Sequence, residues 1–180
     1  MIVRMLDSVS PGAIPLDAQA VAGYIDGSMS RWPAQAWSRW PASTPRVRIS
    51  VLADPLADVM DVERGNASVS QVASAITHRA GAGLPTVVYC SLARLVLLRR
   101  QLPAAAGWWV ADWTGTAPAA LPPGTCAVQF ADPPRSGGQW DASVVDTALW
   151  PGWPSTPDVV GRLTLANRTY GLIEEISATP

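Results

Sequence analysis

Eight short apolar stretches recur along the chain, each closed by Gly, Pro, Asp or Ser. Residues 2–6, 22–27, 46–52, 57–65, 86–90, 107–113, 125–130 and 139–145 read as strands on this pattern. Two intervening segments have helical spacing instead. Over 68–79, Val69, Val72, Ala73 and Ile76 fall on one face behind the capping residue Ser68, and Gly81 to Gly83 stop the turn. Over 92–102 a second helix is expected, ended by Pro103. A short helical segment is also expected over 16–21, capped by Asp17, and a further turn between Pro33 and Pro41, where Trp32, Trp37 and Trp40 cover one side of the core. Only residues 53–57 separate the third strand from the fourth. That gap is too short for a helix, but six extended residues reach about 20 Å, enough for an extended crossover between parallel strands. Strands alternating with helical or loop crossovers predict a parallel sheet covered on both faces, with helices after the fourth and fifth strands.

After Pro157 the texture changes. Residues 159–176 mix Thr, Val, Leu, Ile and Tyr around Asn167 and Arg168, which suits a β-hairpin or an arm. The expected division is therefore a main domain over 1–152 and a C-terminal extension over 153–180.

Composition narrows the class. With 180 residues, 48% hydrophobic and 15% charged, the chain belongs with folded proteins of one domain, but is short for an eight-stranded α/β barrel, which typically needs about 250 residues. Any barrel must have trimmed helices. A net charge of −1 predicts neither nucleic acid nor an anionic membrane as partner. Cys90, Cys126 and the single His78 support neither a zinc site nor a disulfide framework, so both cysteines are expected to be reduced. The first residues do not form a signal peptide, and no apolar run reaches the roughly 20 residues that span a membrane.

The chemistry concentrates at strand ends. If residues 57–65 are extended, Val59, Asp61 and Glu63 share one face, a row that begins apolar and ends acidic. Two carboxylates so placed repel each other, and burial disfavours ionisation further, so one can keep its proton near neutral pH. Glycosidases divide labour between carboxyls in this way. Asp7 closes the first strand as either a turn residue or a catalytic acid. Asp141 carries the same two readings, with Asp146 as a competitor that more readily serves as a cap. Trp109 and Trp113 form a stripe that suits a core as well as a ligand platform, and Trp113, at the strand end, is the better candidate for stacking on a sugar. Cys90 has no histidine partner and His78 reads as a surface residue.

Taken in order, Asp7, Asp61-Val62-Glu63, Tyr89, Trp109-Val110-Ala111-Asp112-Trp113, Gln129-Phe130 and Asp141 resemble the strand-end pattern of glycoside hydrolase family 25, the Chalaropsis-type lysozymes. The likeness is nearer still to the trimmed lysozyme-like relatives of actinobacterial phages. The resemblance covers about residues 1 to 147. It departs in the compressed second to fourth strands, in Val128 and in Trp140. It implies a reduced (β/α)8 TIM-like barrel of parallel strands with short or missing helices. It further implies a muramidase that cleaves β-1,4 bonds of peptidoglycan, with Glu63 as general acid, Asp61 as its charged neighbour and Asp7 and Asp141 as flanking acids. Tyr89, Trp109, Trp113 and Gln129 would line the sugar site. No metal or organic cofactor is implied, and the protein would be made in the cytoplasm to act at the cell wall or on a phage virion. The alternative is a non-enzymatic virion or carbohydrate-binding component on the same barrel, with residues 157–180 docking to a neighbour or a second copy.

Overall fold

The computed structural model describes residues 1–28, 30–104 and 106–154, together with the backbone of 164–165 and 168–169. Eight strands close into a barrel in chain order: β1 (Ile2–Asp7), β2 (Ala20–Tyr24), β3 (Arg46–Ser50), β4 (Val59–Asp61), β5 (Thr86–Ser91), β6 (Ala106–Ala111), β7 (Ala127–Ala131) and β8 (Asp141–Asp146). Strands β1 to β7 run parallel to one another. The expectation of parallel strands throughout fails at β8, which runs antiparallel to both β7 and β1. In the β7–β8 connection, residues 132–140, the chain turns around instead of crossing back to the other end of the barrel. In the β1–β8 register Asp7 lies opposite Asp141.

Alternation along the strands builds two cores. The inner one fills the barrel with Met5, Ala22, Ile49, Val59, Val87, Tyr89, Trp109, Ala127 and Val145, while Leu6, Val21, Met60, Val88, Val110 and Val128 face outwards. Small side chains at Ala20, Ala22 and Ala127 leave the interior volume that Trp109 takes. Tyr89, Trp109, Trp150 and Trp153 then form an aromatic column from the mouth to the floor, with successive ring centroids 4.8, 6.1 and 5.4 Å apart.

The outer layer is sparse. Helix α1 (Val69–Gly81) follows β4 and α2 (Leu95–Gln101) follows β5, after a single 3₁₀ turn over Leu92–Arg94. The capping box of α1 is complete, because Ser68 accepts from the backbone of Gln71 and Gln71 Oε1 accepts from the backbone of Ser68 at 2.9 Å. Arg79, 3% exposed, donates to the carbonyls of Pro55 and Pro85 and to Thr86, tying α1 to the floor. Elsewhere tryptophans stand in for helices. Around a 3₁₀ segment (Ala34–Arg39), Trp32 lies 4.7 Å from Trp37 and 5.5 Å from Trp40, and all three join the outer core with Leu6 and Val21. Trp32 lies so close over β2 that a Cβ at Gly23 would sit 2.5 Å from its ring.

The helix expected over 16–21 does not form. A 3₁₀ turn (Pro11–Ala13) precedes it, and β2 already begins at Ala20, recruited by pairing with Met5 of β1. The fourth strand is shorter than expected, and Glu63 lies beyond its end. The β3–β4 connection is the extended crossover anticipated, turning through Ala53 at φ 61°. Cys90 and Cys126 are free and buried, and His78 is exposed. Of the expected C-terminal hairpin, β9 (Thr164–Leu165) and β10 (Arg168–Thr169) pair antiparallel; the rest of 159–176 lies outside the described residues.

Candidate active site

At the mouth, the carboxyl ends of β1 to β7 meet the amino end of β8. Asp141 therefore reaches the mouth from the start of its strand, not from the carboxyl end where the parallel barrel would have put it. The antiparallel pairing sets Asp7 and Asp141 side by side. Asp61 ends β4 one strand away from Tyr89, with which it is in register. Asp61 Oδ1 accepts the backbone N–H of Glu63 at 2.9 Å, a local bond that folds the chain back so that Glu63 stands at the rim above Asp61.

The four acids share one electrostatic field. Burial, then the charge of Asp141, push the carboxyl of Asp7 well above the usual carboxylate range; a hydrogen bond from Gln129 works against them, and Asp61 and Glu63 add to the rise. Asp61 is raised to about 6 by burial, despite the opposing bonds from the Glu63 backbone and the Asn66 side chain. Asp141 is raised to about 6 by burial and by the charges of Asp132 and Glu63. Glu63, half-buried, is raised by loss of solvent and held back by the guanidinium of Arg94. A cluster of this kind cannot ionise fully near neutral pH, so protons are retained in it.

Gln129 organises the other wall. Its Oε1 accepts from the Tyr89 hydroxyl at 2.6 Å and from Trp113 Nε1 at 2.7 Å, and two donors on the oxygen leave the amide nitrogen to face Asp7, at 3.2 and 3.4 Å from its carboxylate oxygens. Asp7, Tyr89, Trp113 and Gln129 are thus one hydrogen-bonded unit. Trp113 is 48% exposed and offers a face to solvent. Trp109 does not line the mouth: it is 1% exposed, bonded through Nε1 to Ser143 at 3.1 Å, and supports Tyr89 from below. Asp146 lies at the opposite end of β8, where it accepts from the N-terminal amine and from Ala148, so it does not compete with Asp141.

Sequence reasoning missed three residues of the site. Tyr24 ends β2 and feels the charges of all four acids, which with burial push its hydroxyl well up; its signal was an alternation of two alanines and an aromatic at 20, 22 and 24. Asp132 follows β7 and is paired with Arg135 at 2.7 Å. Arg94 donates to the Val62 carbonyl beside Glu63, and no local pattern marks it. Among the described residues no three His, Cys, Asp or Glu side chains are disposed to hold a metal ion.

No family model matches the chain. No curated protein matches it either. Among solved structures it is similar to the Mycobacterium tuberculosis Tat-secreted protein Rv2525c in complex with HEPES, at 14% identity and a TM-score of 0.46, over 80% of this chain and 95% of that one.

Proposed function

We propose that the protein is a glycoside hydrolase of the lysozyme type, cleaving β-1,4 bonds of peptidoglycan with Glu63 as general acid. The observation that carries this reading is the division among the acids. Asp7 and Asp61 are 2% and 4% exposed and lie beneath the surface of the mouth, whereas Glu63 stands at its rim, half-buried with its carboxyl raised. A carboxyl that keeps its proton more readily than a free Glu, at the rim within reach of a bound sugar and beside further carboxyls that can offset positive charge at the anomeric carbon, is an arrangement suited to glycoside hydrolysis.

In the reaction the bond between the anomeric carbon and the bridging oxygen breaks, and that oxygen takes the proton of Glu63. The hydroxyl of a water ends on the anomeric carbon, and the water's remaining proton restores Glu63. Asp141 borders this centre, while Gln129 fixes Trp113 and Tyr89 as one wall against the sugar. One observation favours the binding-only alternative, a carbohydrate-binding or virion component: the deep acids are held by Gln129 and by the Glu63 backbone, as scaffold residues would be.

The test is Glu63→Gln, which removes the transferable proton and keeps the shape. Reducing-end release from purified peptidoglycan should fall by about 10²- to 10⁴-fold with glycan affinity nearly unchanged. Turnover that survives the substitution removes Glu63 from its role, and a wild-type protein inactive across a broad pH range favours the binding-only alternative.

A further inference from the structure

The peptide group between Val62 and Glu63 is held at both of its polar ends. Its N–H, from Glu63, donates to Asp61 Oδ1 at 2.9 Å, and its carbonyl, from Val62, accepts from Nη1 of Arg94. In a trans peptide these two groups point in opposite directions. We propose that Arg94 is the positioning residue of Glu63: it fixes this peptide on the side opposite Asp61 and places a positive charge beside the carboxyl. The inference deepens the glycosidase reading of the mouth, and its kinetic consequences rest on that reading.

Strand order brings the two residues together. β5 lies beside β4, and their pairing continues one residue past β4, where the Val62 N–H donates to the Tyr89 carbonyl at 3.0 Å. After β5 the chain enters the 3₁₀ turn that ends in Arg94. Leu95 and Leu98 are buried in the outer core behind that turn and set it against the end of β4. Beyond Glu63 the chain turns at once, with the Asn66 N–H donating to the Glu63 carbonyl at 3.1 Å. Rotation of the Val62–Glu63 peptide would swing the Glu63 side chain off the rim, and one bond at each end opposes it. The two bonds reinforce each other, because a cation on the carbonyl polarises the amide and makes its N–H a better donor to Asp61.

The second effect is one of charge. The titratable groups that feel Glu63 are Asp7 of β1, Tyr24 of β2, Asp61 of β4, Tyr89 and Cys90 of β5 and Asp141 of β8, and none of them brings positive charge. Arg94 is the cation that acts on Glu63 among the described residues, and it favours the ionised carboxyl against the larger effect of burial. Anchored to a backbone oxygen, the guanidinium moderates the acid from beside it. Paired with the carboxylate directly, it would favour ionisation so far that no proton was left to give.

Arg94→Gln and Arg94→Lys are compared with wild type, each well below its thermal midpoint. Glutamate occurs only at positions 63, 174 and 175, so the Glu63 carboxyl can be followed by carbon-13 NMR in glutamate-labelled protein and assigned with Glu63→Gln. Its titration midpoint should rise in Arg94→Gln and stay near that of wild type in Arg94→Lys, which keeps the charge. On soluble glycan strands from peptidoglycan, Arg94→Gln should lower kcat about tenfold with KM nearly unchanged, since misplacing a catalytic group by about 1 Å costs up to about 10²-fold. The alkaline limb of kcat/KM, which reports the acid of the free enzyme, should move upward together with the NMR midpoint. Arg94→Lys, which can still donate to the Val62 carbonyl, should bring kcat back to within about threefold of wild type. A Glu63 midpoint unmoved in Arg94→Gln, a lysine variant no better than the glutamine one, or a loss confined to KM overturns the assignment, whether or not wild type hydrolyses the strands. If the midpoint moves as stated but wild type releases no reducing ends, Arg94 keeps its place beside Glu63 and the hydrolase reading falls.

Discussion

Replacing Asp61 by Asn should stabilise the protein, and by an amount that depends on pH in a defined direction. Asp61 is 4% exposed, and its carboxyl is raised from an ordinary 3.8 to about 6, mainly by burial. Below pH 3.8 the residue is protonated in both folded and unfolded chains and exerts no pH-dependent effect. Between pH 3.8 and 6 the unfolded chain releases the proton while the folded one keeps it, so the stability of the wild type falls as pH rises; above 6 both are ionised and the deficit is constant. At 1.36 kcal/mol per pH unit, the rise to about 6 is worth about 3 kcal/mol at neutral pH. The asparagine oxygen can still accept the Glu63 backbone N–H, so the rim keeps its shape. For a domain of this size, 3 kcal/mol corresponds to roughly 6–12 °C in thermal midpoint. Urea unfolding of both proteins at pH 3.5, 5 and 7.5 should give curves that converge at the lowest pH and separate progressively above it. A gain as large at pH 3.5 as at pH 7.5, or none at pH 7.5, would refute the reasoning. Stability gained together with hydrolysis lost is the pattern of a residue kept for function.

Two further substitutions probe the walls of the site and the layer around it. Gln129→Leu leaves the Tyr89 hydroxyl and the Asp7 carboxyl without their amide partner; at about 1–3 kcal/mol for a stranded buried group, unfolding in urea should show a loss of at least about 2 kcal/mol, and a loss under about 0.5 would discount the network. Gly23→Ala drives a methyl into the ring of Trp32, which should cost about 1–3 kcal/mol and alter the near-ultraviolet dichroism of the tryptophans; an unchanged spectrum and midpoint would contradict the packing of Trp32 over β2.

The strands and the two helices were legible because each rests on a local pattern. Val69, Val72 and Ile76 behind Ser68 spell a helix, and Thr86 to Cys90 a buried strand, whatever surrounds them. The direction of β8 was not legible, since alternation reads the same from either end. Loop length does not settle it: the β3–β4 crossover is shorter than the β7–β8 connection, yet β3 and β4 are parallel. Residues 16–21 failed for a related reason. Their composition tolerates a helix, but Ala20 and Val21 gain more by pairing with Met5 and Leu6. For the site, Asp7 and Asp61 could be placed from strand ends, whereas Asp141, at the start of its strand, reaches the mouth only because β8 is reversed. Glu63 reaches the rim by a bend rather than by the extended row expected of it, and Trp109 was misjudged because depth within a barrel depends on how far its strand extends past its neighbours. Arg94 comes to Glu63 through the geometry of a 3₁₀ turn, which leaves no mark in the local sequence.

The reversed last strand also decides where the barrel begins and ends. Because β8 descends, residue 146 finishes on the floor, where Met1 starts: the Met1 amine lies 3.5 Å from Asp146, and the Met1 carbonyl accepts the backbone N–H of Thr147 at 3.0 Å. An eighth strand parallel to the others would have delivered the chain to the mouth, into the space a polymeric ligand needs. Here the first strand begins and the last strand ends side by side on the face away from the acids. An attachment made through the amino terminus therefore leaves the barrel on the side away from its opening and does not obstruct it.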